Sequence, residues 1–228
     1  MLVHVPGLLD SGQLNHFRQR LAASDAPWVD GRVTAGHQGI HVKQNQQIAE
    51  GSAMSAELGS IVMSALERLP LFISAALPNR VYPPMFNRYK NGMHFGNHVD
   101  GSVRLMPGSG AKIRTDLSAT LFLAPPESYD GGELLIEDTY GSQAIKLAAG
   151  DMVLYPASSL HRVAPVSRGV RLACFFWVQS MVRDDGQRAL LFDLDNAIQR
   201  LTATDADELA RVQLTGVYHN LLRQWAET

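Results

Sequence analysis

Asp116-Leu117-Ser118-Ala119-Thr120-Leu121-Phe122-Leu123 runs into Pro125-Pro126, then Asp130-Gly131-Gly132, then Glu133-Leu134-Leu135-Ile136. In the first stretch Leu117, Ala119, Leu121 and Leu123 alternate with Ser118, Thr120 and Phe122. Successive side chains of a strand point to opposite faces, so this is strand periodicity. The Pro-Pro and Asp-Gly-Gly steps are turn punctuation. The same grammar continues outward. Upstream, Pro83 to Tyr89 reads as a strand and Asn91-Gly92 as a turn. Downstream, Gly141-Ser142 and Gly150-Asp151 read as turns, and Met152 to Tyr155, His161 to Val166 and Arg171 to Gln179 as strands. Many short strands with regular turn signals imply a sandwich or barrel, and a double-sheet jelly roll suits the count.

Helical patterns flank this core. Asp10 and Gln13 have capping-box spacing ahead of Leu14, Phe17 and Leu21. Leu58, Ile61, Val62, Ala65 and Leu66 follow helical spacing, with Pro70 as the stop. Between them, Val33 to Gln47 is polar. His37 and His41 stand four apart there, but Gly36 and Gly39 oppose a helix, and a surface loop is expected. After Met181, Leu190, Leu194, Ile198 and Leu201 form one stripe. Leu209, Val212, Val217, Leu221 and Trp225 form another, with Asp205 and Glu208 at capping-box spacing before it. The expected class is α+β: a double-stranded β-helix, or distorted jelly roll, with flanking N-terminal and C-terminal helices. The jelly-roll domain with its N-terminal helical support spans 1–181, and a C-terminal helical extension spans 182–228. The C-terminal stripes are expected to bury against the jelly roll or to form a homo-oligomer interface.

The 228 residues are 46% hydrophobic and 18% charged, which is globular composition. A formal net charge of −2 gives no electrostatic case for nucleic acid or an anionic membrane. Met1 to Gly7 lacks a basic segment and an apolar run, so neither a secretory signal nor a membrane span is expected. Cys174, the single cysteine, lies in apolar surroundings and reads as a packing residue. A reducing, cytoplasmic setting is expected.

The chemistry concentrates in His98-Val99-Asp100, His161 and Arg171. On a strand, residues i and i+2 share a face, so His98 and Asp100 can serve one ion while Val99 turns into the core. His161 is the candidate for the third ligand. Two imidazoles and one carboxylate form the facial triad of non-haem Fe(II) oxygenases and leave coordination positions open. Arg171 follows the turn-like Ser167-Arg168-Gly169. A hairpin there would bring its guanidinium beside the metal, where it can hold a carboxylate bidentately. Two other classes compete: a non-catalytic cupin-like metal sensor, and a zinc hydrolase using the same triad. The sensor needs no carboxylate clamp. The hydrolase needs a neighbouring general base. Gly101 to Arg114, with Pro107-Gly108-Ser109-Gly110, is expected to be an open, mobile lid, and its Arg104, Lys112 and Arg114 are read as solvated surface charge, with contact to an acidic substrate as the alternative.

Several further stretches carry a resemblance. They are Asn87-Arg88-Tyr89, His98-Val99-Asp100, Asp116-Leu117-Ser118, Tyr129-Asp130-Gly131-Gly132-Glu133-Leu134, Ala149-Gly150-Asp151, His161 to Val166 and Gly169-Val170-Arg171. Together they resemble the prolyl/lysyl hydroxylase-like 2-oxoglutarate- and Fe(II)-dependent dioxygenases, and most closely the bacterial PKHD-type hydroxylases. The resemblance implies iron held by His98, Asp100 and His161, and 2-oxoglutarate held through its distal carboxylate by Arg171. Tyr89 is either a second co-substrate contact or an ordinary core tyrosine. The implied activity is hydroxylation of a peptidyl or small-molecule substrate, coupled to oxidative decarboxylation of 2-oxoglutarate to succinate and carbon dioxide. Ascorbate support (vitamin C dependence) and a link to iron homeostasis come with the same resemblance. The Tyr-Asp-Gly-Gly-Glu-Leu segment is read as structural.

Overall fold

The computed structural model describes residues 1–138, 141–204 and 207–227. Its larger, eight-stranded sheet orders Val3–Val5, Met152–Pro156, Leu117–Phe122, Arg171–Ser180, Met85–Tyr89, Gln46–Ile48 and Trp28–Asp30, with Pro78–Val81 also paired to Arg171–Ser180. The smaller, five-stranded sheet orders Gly141–Ile145, Leu134–Asp138, His161–Val163, His94–His98 and Lys43–Gln44. All pairings in both are antiparallel. This is the mixed helix and double-sheet jelly roll expected from the strand pattern.

The alternation around Leu117 decides what lies on each side. All six residues of Leu117–Phe122 are buried, because both faces of this central strand are covered. Leu117, Ala119 and Leu121 join Met152, Leu154, Cys174, Phe176 and Val178 against the N-terminal helices. Ser118, Thr120 and Phe122 face the other way. Phe122 packs with Tyr89, Val153 and Tyr155 against Leu134, Ile136 and Val163 of the smaller sheet. One sheet face therefore builds the main core, and the opposite face builds the site.

Helix α1 (Ser11–Ala22) starts with the expected capping box: Asp10 accepts from the Gln13 amide, and the Gln13 side chain accepts from the Asp10 amide. Leu14, Phe17 and Leu21 are buried. Helix α2 (Ala53–Leu66) buries Leu58, Val62 and Leu66. Pro70 does not simply mark its end. It is the first residue of a further helix, α3 (Pro70–Ala76), where a missing N–H costs nothing. No single helix among the described residues is long and apolar enough to cross a membrane.

Four local expectations are corrected. Val33 to Gln47 is not simply a surface loop, because Lys43–Gln44 and Gln46–Ile48 are strands, one in each sheet. Gly141-Ser142 opens a strand paired to Glu137 and Asp138 and is not the turn. Gly101 to Arg114 is not an open loop. Val103–Leu105 and Lys112–Arg114 pair as a hairpin, closed by the Pro107 to Gly110 turn. Arg171 does not return on a hairpin from His161–Val163. The strand Val166–Arg168 pairs with Asp130-Gly131, and Gly169 (φ +72°) turns the chain into the larger sheet.

The C-terminal helices α4 (Asp185–Thr204) and α5 (Glu208–Trp225) pack on one another, and α4 packs onto α3. Their buried seam keeps Leu221 and Trp225 of the expected stripes and departs from the rest. Leu191 joins Leu77 and Val182, and Tyr218, Leu221, Leu222 and Trp225 pack around them. Leu190, Leu209, Val212 and Val217 are exposed. The cap of α5 is Asp207, which accepts from the Ala210 amide, and Asp205 lies outside the described residues.

Candidate active site

His98 ends its strand, and His161 begins the neighbouring one directly opposite it in the register. Asp100 lies just past the strand end. Its Oδ1 is 3.9 Å from His98 Nε2, and its Oδ2 is 3.7 Å from His161 Nε2. One donor atom from each of the three residues falls within 4.8 Å of the others. Val99 does not turn into the core as expected. It is 52% exposed and lines the cavity mouth, because the strand has ended before it.

The neighbours of the triad fix its donor atoms. His98 Nδ1 donates to the Gly96 carbonyl at 2.8 Å, and His161 Nδ1 donates to the Ser159 carbonyl at 3.0 Å. Each bond selects the tautomer whose Nε2 lone pair is free for an ion. Burial, followed by the neighbouring His161, lowers the His98 imidazole to about 4, so it is neutral near pH 7. Ser118 Oγ donates to Asp100 Oδ2 at 2.6 Å and holds the carboxylate toward the histidines. The Phe95 ring stacks on His98 at 3.5 Å between centroids, and Tyr155 meets His161 edge-on. Two imidazoles and a carboxylate converging on one point fit a divalent first-row metal with open positions.

Arg171 enters the same cavity from the larger sheet, where it pairs in register with Tyr89. It is 1% exposed, and its Nε donates to the Gly132 carbonyl at 2.9 Å. The guanidinium lies over the rings of Tyr89 and Phe122. Among the described residues no carboxylate pairs with it. A buried cation without an internal counter-ion is costly, so the position fits an anionic ligand group. Burial pushes the Tyr89 phenol up to about 12, so it stays a donor at neutral pH.

The cavity holding these groups is about 610 Å³. It has a second polar wall, of which the sequence had pointed to Arg104 alone, and Lys43 was not signalled. Lys43 is 5% exposed, with Nζ donating to Thr34 Oγ1 at 3.1 Å and lying over the Phe95 and Phe175 rings. Arg104, from the hairpin, lies over Tyr82 and Trp177. Gln47 Nε2, Asn87 Oδ1 and Arg104 Nε are buried without a partner among the described residues. The polar run Lys43-Gln44-Asn45-Gln46-Gln47 carries no apolar periodicity, so nothing in it betrayed burial. His37 lines the rim of the cavity, and His41 meets it edge-on.

Comparison with known proteins agrees with this geometry. Residues 84–179 match the model of the 2OG-Fe(II) oxygenase superfamily, and residues 185–227 match the PKHD-type hydroxylase C-terminal domain. The chain is 64% identical over 228 residues to a PKHD-type hydroxylase of Paraburkholderia phymatum, covering the whole of both chains. It is 65% identical to one from Cupriavidus metallidurans, again over the whole of both chains. Its fold is similar to a Pseudomonas putida prolyl-4-hydroxylase, with TM-score 0.53 and 20% identity, covering 78% of this chain and 92% of that one. It is also similar to a prolyl hydroxylase from Trichoplax adhaerens, with TM-score 0.56 and 16% identity, covering 83% of this chain and 86% of that one. At these identities the two structures speak for the fold alone.

Proposed function

The chain belongs to the PKHD-type hydroxylases of the 2OG-Fe(II) oxygenase superfamily, and from that premise we propose which residues do the work and on what. As a family member it is a 2-oxoglutarate-dependent hydroxylase that uses Fe(II). We assign the iron to His98, Asp100 and His161, and the distal carboxylate of 2-oxoglutarate to Arg171, with Tyr89 donating to the same carboxylate. The observation that carries the assignment is the meeting, in one cavity, of three converging donor atoms and a buried arginine that has no carboxylate partner among the described residues.

Bound iron would activate dioxygen: one of its oxygen atoms would enter a substrate C–H bond and the other would enter succinate as 2-oxoglutarate, the two-electron reductant, loses carbon dioxide. The chain's own residues position and shield. Gly96 and Ser159 carbonyls keep both imidazoles in one tautomer, and Ser118 aims Asp100. Gly132 fixes the Arg171 fork from behind, leaving its outer N–H groups to the ligand. Phe95 and Tyr155 wall the centre and limit water, and Phe122 lies under the Arg171 guanidinium.

The substrate is peptidyl or a small molecule, and a role in iron homeostasis and ascorbate support rest on the family resemblance alone. A zinc hydrolase would need a second carboxylate as base. Among the described residues lining the cavity, the one besides Asp100 is Glu50, which faces Arg104 at 4.0 Å. The test is anaerobic titration with Fe(II) and 2-oxoglutarate, reading the weak visible charge-transfer band. Arg171→Ala loses charge-assisted bonds of roughly 1.5–3 kcal/mol. At about 1.4 kcal/mol per tenfold, 2-oxoglutarate binding should weaken by one to two orders of magnitude with iron binding retained. His161→Ala should lose iron itself. Normal iron stoichiometry in His161→Ala, or unchanged 2-oxoglutarate affinity in Arg171→Ala, would overturn the assignment.

A further inference from the structure

Lys43 and Arg104 are not used by the reading above, yet both line the same cavity as the triad. Lys43 stands opposite Phe95 in the register, and the Phe95 ring is stacked on His98. Arg104 lies over Trp177, Trp177 meets Phe175 edge-on, and Lys43 Nζ lies over Phe175. The two cations thus belong to one aromatic wall beside the metal ligands. Their local compensation is thin. Lys43 has a single hydroxyl acceptor, Thr34, and no carboxylate within ion-pair distance among the described residues. Arg104 has Glu50 at 4.0 Å, with its Nε buried and without a partner among the described residues. Burial, then the neighbouring Arg104, lowers the Lys43 amine to about 8, so it is charged at neutral pH.

Charge balance sharpens this. A divalent iron, the Asp100 carboxylate, a dianionic 2-oxoglutarate and Arg171 sum to zero. Asp30, which also acts on Lys43, is paired with Arg32, so Lys43 and Arg104 against Glu50 leave a net positive charge on the cavity wall. Buried charges persist where something pairs with them.

Building on the assignment above, we propose that the substrate is an organic acid whose carboxylate docks on Lys43 and Arg104, so that the acid end is anchored on this wall and a C–H bond elsewhere in the molecule is presented to the metal. Guanidinium supplies a planar fork for a carboxylate, and ammonium supplies a point charge beside it.

The test uses the full chain loaded anaerobically with Mn(II) and saturating 2-oxoglutarate. Binding of 2-oxoglutarate is measured first, and its failure would count against the preceding assignment, not this one. N-acetyl amino acids and aliphatic and aromatic monocarboxylic acids are then titrated, each beside its primary amide, together with phosphate monoesters. Tryptophan emission is followed, with Trp177→Phe identifying the responding ring. At least one acid should saturate, with its amide at least about tenfold weaker, the loss expected for one charge-assisted bond. Lys43→Gln and Arg104→Gln should each weaken the acid by about tenfold or more and leave its amide unmoved. Lys43→Met and Arg104→Lys repeat the comparison should either glutamine variant fail to fold. The proposal is overturned by any of five results. These are equal binding of acid and amide, acid binding that survives both substitutions, saturation by phosphate monoesters only, no saturating acid at all, or weakening confined to Arg171→Gln, which would mark competition at the 2-oxoglutarate position.

Discussion

Ser118 sits on the strand that crosses beneath the triad, and its hydroxyl is held 2.6 Å from Asp100 Oδ2. Groups that orient a ligand carboxylate typically govern metal affinity by about 10–100-fold. Ser118→Ala should therefore weaken Mn(II) binding by about tenfold in calorimetry while the melting temperature stays within a few degrees. Unchanged affinity would reduce Ser118 to packing. Lys43 allows a second test at this scale. Its folded value near 8 lies below the ordinary 10.5, so the unfolded chain binds more protons between those values, and stability rises with pH across that window. Below pH 8 the cost of burying the charge is fully present. Lys43→Met should then be more stable than the parent at pH 7, by on the order of 1–3 kcal/mol, and the gap should close as pH climbs toward 10. A gap independent of pH, seen by denaturant titration, would mean that the buried charge is not its source. The triad and Arg171 were legible because of their order and spacing within one strand-rich stretch. Lys43 was not, and Arg104 was read chiefly as solvated charge, because cations in polar runs usually stand in water and only tertiary pairing brings these two to the cavity wall.

Strand period told which residues of Leu117–Phe122 share a face, and the two faces do separate into helix-side core and site. It could not tell which strand lies next to which. Hence Arg171 was expected on a hairpin with His161, whereas it pairs with Tyr89 across the larger sheet. The result is the same cavity by a different route, and it gives Gly132 a definite job. Gly132 has φ +70°, its carbonyl holds Arg171 Nε, and an added Cβ would lie 3.0 Å from Arg171 Cδ and 2.9 Å from Val166 Cγ2. An L-residue in that backbone region costs roughly 1–2 kcal/mol before any crowding. Gly132→Ala should lower the melting temperature and weaken 2-oxoglutarate several-fold, with metal affinity preserved, since the triad strands do not touch it. Equal losses of metal and 2-oxoglutarate binding would show general collapse instead. The hairpin Val103–Leu105 with Lys112–Arg114 was legible only as a Gly-rich excursion, because its paired residues are too few to show a period.

At the scale of the molecule, the C-terminal helices lie outside the sheets but are tied back to them. Arg114 bonds Asp116 and Glu227 together, the Met1 amino group meets Asp185, and Val182 bridges to Ala226. Arg188, buried on α4, donates to the carbonyls of Val182 and Arg183 and to Asp185. The sequence showed that these helices are amphipathic. It named Leu221 and Trp225, which do pack in the seam, but missed Leu191, because Leu190, Leu191 and Leu194 offer several overlapping stripes and only the docking surface around Leu77 chooses among them. Leu191 is the one fully enclosed leucine of that seam, so Leu191→Ala should cost about 2–5 kcal/mol in denaturant unfolding. None of His98, Asp100, His161 or Arg171 belongs to the seam, so metal and 2-oxoglutarate affinities should hold in the fraction that stays folded. Ending the chain after Met181 goes further. It uncovers Leu77 and removes Glu227 from Arg114 while retaining every proposed site residue, and the product should aggregate in light scattering at concentrations where the full chain does not. A truncated protein that scatters like the full chain and melts at the same temperature would show that the jelly roll needs no such cover, and that the ties through Arg114, Met1 and Arg188 carry no stability.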